Sequence, residues 1–239
     1  MGTTLAVARR EFRSFFNSPV AYIVLGGFLL TAGWLYFSTL FVAGQASLRG
    51  FFAVAPVLFV VFAPAVTMRL LAEERKSGTL ELLLTLPVHD WQVVGGKFLA
   101  AMGMVGVGLL LTLPYPLSVA ALTAPGASFD WGPVVMGYVG LVLLASSFLA
   151  LGLWASALSR NQIVGFIVGL LLCFAFYAVD KFAVVLPQTL AALFQYLSVD
   201  YHFDNIARGV LDTRDVLFYV TLTTVGLGLT VRTLGTVRQ

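Results

Sequence analysis

The chain has 239 residues, of which 59% are hydrophobic and only 10% are charged. Soluble domains carry about 25% charged residues, so such a surface could not be covered in water, whereas lipid tails accept an apolar exterior. The net charge of +3 is small and its positives sit between apolar runs, which argues against nucleic acid and reads as a topology signal. The single cysteine, Cys173, lies in an apolar run and excludes an intrachain disulfide or a cysteine metal cluster.

In chain order, residues 3–17 come first and predict an interfacial helix. Leu5, Ala8, Phe12, Phe15 and Phe16 recur at helical spacing, with Arg9, Arg10 and Arg13 mostly apart from them. That is an amphipathic pattern whose arginines reach lipid phosphates. Asn17, Ser18 and Pro19 break it. Six charge-poor runs follow, at 20–42, 50–68, 98–122, 131–158, 161–179 and 216–231. With their flanks they predict spans at about 20–42, 51–71, 97–122, 133–158, 161–181 and 214–234, since roughly 20 helical residues cross the hydrocarbon core. The first run is read as a retained helix rather than a cleaved leader. Pro56, Pro64 and Pro114 fall inside runs, where neighbouring helices can satisfy the freed carbonyls, and they predict kinks. The expected fold class is an all-α polytopic membrane protein, one domain over 1–239.

Lysines and arginines give the orientation. Arg9, Arg10, Arg13, Arg69, Arg75, Lys76, Lys97, Arg160, Arg232 and Arg238 fall on one side, and only Arg49, Lys181, Arg208 and Arg214 on the other. The richer side is cytoplasmic, so both termini are expected there, in a bacterial inner membrane. The connection before the last run is apolar although it lies outside; Pro187 followed by Leu190, Leu193, Phe194 and Leu197 predicts short helices over about 186–210 that dip into the outer leaflet or cap the bundle. The pair Gly165 and Gly169 has a spacing that allows close helix packing.

The catalytic inventory is thin. His89 and His202 fall on opposite sides, so they cannot share a metal or a proton relay, and no HExxH motif appears. Gly95-Gly96-Lys97 resembles the end of a phosphate loop, but Phe98 stands where Ser or Thr would bind magnesium. No catalytic, cofactor or metal residue is assigned, and an intramembrane enzyme is disfavoured because the spans carry no paired polar catalytic residues. Asp180 and Lys181, adjacent at the outer end of the fifth run, read either as a gate contact or as an interfacial pair that ends the helix.

The informative stretch is cytoplasmic. Glu73-Glu74-Arg75-Lys76-Ser77-Gly78 leads into the apolar stub Thr79-Leu80-Glu81-Leu82-Leu83-Leu84-Thr85-Leu86, which Pro87 stops. Gly78 permits a sharp turn and Thr79 can cap a short helix at about 78–86. An apolar stub too short to span, placed between two spans, calls for a partner. Here the chain resembles the membrane subunits of ABC-2-type (type V) ABC transporters, whose loop between the second and third spans carries E-[RK]-x-x-G-T-L-E-x-L-L-x-x-P. Glu74, Arg75, Gly78, Thr79, Leu80, Glu81, Leu83 and Pro87 match it. The stretch from Tyr201 through His202, Arg208, Asp212 and Asp215 is similar to the gliding-motility-associated branch.

The resemblance implies a permease subunit, not itself an enzyme, of an exporter. It implies a second permease copy or paralogue and two copies of an ABC ATPase subunit, which binds the ATP and magnesium; this chain holds no cofactor. The matching residues would form the coupling helix. Asp180, Lys181, His202, Arg208 and Asp212 are the candidates for an outer gate or partner contact. Membrane lipids and a possible periplasmic partner complete the expected partners, with no nucleic acid. The rival expectation is a membrane anchor for an ATPase that works mechanically on an envelope partner.

Overall fold

The computed structural model describes residues 2–44, 47–79, 89–123, 129–185 and 187–237. The protein is all-helical, with no strand among the described residues. Helix α1 (Gly2–Phe16) ends at the Asn17–Ser18 break, where Ser18 Oγ accepts from the Val20 backbone N–H at 3.4 Å and Pro19 opens α2 (Pro19–Ala43). A proline in the first turn costs no hydrogen bond there. Next come α3 (Arg49–Thr67) and α4 (Ala72–Ser77), which closes at Gly78 with φ +70°, a left-handed conformation that glycine adopts without strain. Helix α5 (Asp90–Thr112) begins with a capping box between His89 and Gln92, and α6 (Pro114–Leu122) restarts just past the break at Leu113. Asp130 caps α7 (Trp131–Leu158) and Asn161 caps α8 (Gln162–Ala178). A 3-10 turn (Val179–Val185), α9 (Gln188–Leu197), α10 (Val199–Ala207) and α11 (Thr213–Val237) complete the order.

Among the described residues, six helices are long and apolar enough to cross a membrane: Pro19–Val42, Arg49–Ser77, Asp90–Leu122, Trp131–Leu158, Gln162–Phe182 and Thr213–Thr236. The chain is therefore a multi-pass membrane protein. Pro56 and Pro64 lie inside α3, which remains one helix through both.

Helix α7 is the hub, packed against α3, α5, α8, α10 and α11. Its small residues let the neighbours close in. A Cβ at Gly152 would stand 2.3 Å from Thr67 Oγ1, and one at Gly137 would stand 2.3 Å from the Phe52 ring. Gly165 and Gly169 of α8 face α3 and α7: a Cβ at Gly169 would stand 3.2 Å from Pro64, and one at Gly165 would lie 3.5 Å from Met68 O and from Ser156. With no hydrophobic drive between helices in lipid, such close approach supplies the dispersion contacts that hold spans together.

Helix α1 packs along the first turns of α5. A Cβ at Gly96 would stand 2.8 Å from Val7, and one at Gly103 would stand 3.0 Å from Phe12. The apolar stripe of α1 thus faces protein, with Ala8 and Phe15 buried, while Leu5, Arg9 and Arg13 face outward.

Candidate functional site

The described residues that flank the stub form a compact root. At the α3–α4 junction, Ser156 Oγ from the end of α7 accepts from the backbone N–H groups of Leu71 and Ala72, each at 3.1 Å, and donates to Met68 O at 2.9 Å. Ser156 is fully buried, and its hydroxyl serves the orphan N–H groups that begin a helix lacking a side-chain cap of its own. The Arg75 guanidinium donates to Ala157 O. Helix α4 is therefore bolted to the end of α7 from both its N-terminus and its outer turn.

The same helix meets α1 and α5 through charge. Lys97, wholly buried, places Nζ 2.7 Å from Glu74 Oε1 and 3.3 Å from Glu11 Oε1. Arg10 reaches Glu11 at 2.7 Å and Glu74 at 3.6 Å. Two cations and two carboxylates balance, which is the condition for carrying charge out of water. Burial pushes the Glu11 carboxyl up, but Lys97 and Arg10 outweigh it and hold the group below its ordinary value. Hydrogen bonding to Glu11 lifts the Arg10 guanidinium in turn. Glu74 Oε2 is buried without a partner among the described residues. Beside the cluster, Arg69 pairs with Glu73 at 3.6 Å and lies 6.0 Å over the Phe15 ring.

Past α4, Ser77 Oγ and Thr79 Oγ1 lie 2.8 Å apart, and Thr79 Oγ1 donates to Glu74 O at 3.4 Å. Glu74, Arg75, Gly78 and Thr79 are thus gathered at the root. Leu80, Glu81, Leu83 and Pro87 lie outside the described residues.

The outer candidates separate into three settings. Lys181 bridges Asp180 at 2.9 Å and Asp200 at 2.6 Å, and Ser198, which caps α10, donates to Asp180 at 3.0 Å. Burial raises the Asp200 carboxyl above its ordinary value despite Lys181. His202 is buried: Nδ1 lies 2.6 Å from Asp215 Oδ1, Nε2 lies 3.0 Å from Tyr196 O, and the ring stacks on Phe218 at 4.2 Å. Asp215 Oδ2 is buried without a partner among the described residues. Arg208 and Asp212 stay on the surface; Arg208 pairs with Asp204 only at 3.9 Å, and Asp212 accepts from the Arg214 backbone N–H at 2.9 Å.

Sequence reasoning passed over Lys97, Glu11, Arg10, Ser156 and Asp215. Lys97 was assigned to a cytoplasmic connection and its two glycines to a failed phosphate loop. Those glycines instead make room for α1, and the lysine between them and the span is the anchor for two distant carboxylates. A lysine at the mouth of a span, preceded by paired glycines, was the signal that could have found it.

Among the described residues there is no group of three or more metal-ligating side chains. The arrangement ties α4 to α1, α5 and α7. Compared with known proteins, the chain matches a family model described as ABC-2 family transporter protein over residues 5–199, from α1 to the first residue of α10. No curated protein matches it significantly.

Proposed function

The chain belongs to the ABC-2 family of transporter proteins, and on that premise we propose that it is the permease of an ATP-driven exporter whose ATPase docks on the cytoplasmic segment between α4 and α5. Membership makes it a membrane transport component that works with an ABC ATPase. The finer reading is that Leu80, Glu81, Leu83 and Pro87, with Thr79 before them, form the coupling helix, and that ATP-driven closure of two ATPase chains pushes on it. The supporting observation is the root of α4, where Ser156 takes two backbone N–H groups and Arg75 reaches Ala157 O. A push on the stub is carried through α4 to the end of α7, the span with the most neighbours.

The remaining parts of the proposal follow from charge and family. The basic side is cytoplasmic, with both termini inside a bacterial inner membrane, and a second permease copy or paralogue completes the gate. ATP and magnesium sit on the ATPase. On the outside, the Lys181–Asp200 and His202–Asp215 contacts hold α9 and α10 as a cap over the spans. Spans with few charges suit a lipid-like or amphipathic cargo. The test is co-purification: Glu81→Lys or Leu83→Glu should strip the ATPase from the purified chain, and full retention with either variant would sink the docking assignment.

A second reading has its own observation. Leu193, Tyr196, Tyr201, Val210 and Leu211 are exposed on the outer segment, which suits a protein-docking surface and an ATPase-driven mechanical role without cargo. Crosslinks from Leu193 to an envelope protein, with no cargo moved by reconstituted vesicles, would favour it.

A further inference from the structure

Lys97 and Glu74 lie on either side of the segment 80–88 in the chain, and their ion pair at 2.7 Å ties α4 to α5. Glu11 joins the same ammonium from α1, at 3.3 Å. Close backbone approach reinforces the joint, because Gly96 and Gly103 seat α1 directly on α5. From this geometry we propose that Lys97 is a positioning residue that makes α1, α4 and α5 move as one body when the segment between α4 and α5 is pushed. The inference rests on the docking reading above and extends it, since it makes the N-terminal helix a driven part of the machine.

Stability alone is a poor account of the cluster. Well-packed apolar side chains commonly replace a buried ion group at no loss, and among the described residues the network leaves Glu74 Oε2 without a partner. The cluster instead resembles a registry device. One ammonium reads carboxylates from two separate elements, so neither α1 nor α4 can shift along α5 without breaking an ion pair. Helix α1 runs into α2 through only Asn17 and Ser18. A displacement of the joint therefore reaches the first span as well as α5.

The experiment uses the full chain in lipid nanodiscs with its co-purified ATPase, and reads amide hydrogen exchange with and without ATP plus vanadate. Three variants are compared with the parent: Lys97→Arg, Lys97→Met, and a neutral triple of Glu11→Gln, Glu74→Gln and Lys97→Met that leaves no buried charge unpaired if Lys97→Met alone fails to fold. In the parent and in Lys97→Arg, nucleotide should change exchange severalfold in both α4 and α1. The neutral triple should retain the ATPase and the response in α4 but lose the response in α1, a split that a merely stabilising cluster would not produce. An α1 response equal to the parent's in the triple overturns the proposal. If the parent itself retains no ATPase, the docking reading fails, and the chain alone still decides this one. Exchange across α1 should rise severalfold in the triple and stay low in Lys97→Arg, whereas unchanged exchange overturns it.

Discussion

The root beneath α4 and the proposed cap of α9 and α10 both rest on buried polar groups, but they join different things. At the root, Lys97 collects Glu11 and Glu74 from other helices, and Ser156 reaches Leu71 and Ala72 from the far end of α7. At the cap, His202 meets Asp215 and Tyr196, and Lys181 meets Asp180 and Asp200, all within the last quarter of the chain. The root ties elements that are distant in sequence, whereas the cap ties successive short elements of one stretch. The family match sharpens the contrast. It covers every residue of the root and stops at residue 199, before His202 and Asp215.

Breaking the cap should give the largest local loss. His202→Phe keeps the ring stacked on Phe218 but leaves the Asp215 carboxyl and the Tyr196 carbonyl without the ring nitrogens they meet, losses of about 1–3 kcal/mol each for a buried polar group. The expected readout is a lower unfolding midpoint in detergent with exchange rising in α9 and α10 and no change in α1 or α4. Equal loosening at the root would erase the distinction between the two regions.

At the root, Ser156→Ala should remove about 1–3 kcal/mol, since the Leu71 and Ala72 N–H groups lose their acceptor in a buried site. Exchange at those two amides should accelerate first. If they stay protected while the midpoint is unchanged, α4 is held by something other than Ser156.

The smallest effect is a pH dependence carried by Glu11. Its carboxyl is held below the ordinary value of 4.5 in the folded chain. A lowered carboxyl contributes stability that is present above the unfolded value and is lost as pH falls through the folded one. The stability difference between the parent and Glu11→Gln should therefore hold down to about pH 4.5 and shrink below it. A difference that grew on acidification would contradict the cluster's charge balance.

The spans were legible because each is a long charge-poor run, and lipid imposes that composition. The helix of residues 3–17 was legible from its periodicity, but not the surface it packs on. An apolar stripe fits lipid and protein equally, and only the glycines of α5 decide for protein. Lys97 was not legible for a related reason. Its partners come from two other elements, Glu74 lying 23 residues away, and nothing local marks which carboxylates a lysine will meet. His202 and Asp215 stood in one quoted stretch, yet their pairing depends on how the chain turns back between α10 and α11.

The central claim is that the ATPase meets this chain at the segment between α4 and α5. A photo-crosslinking residue in place of Leu83, and separately in place of Leu193 in α9, tests it most directly in intact cells. The account predicts an ATPase adduct from position 83 and none from position 193. An ATPase adduct from 193, or its absence from 83 while the complex still purifies together, would contradict it.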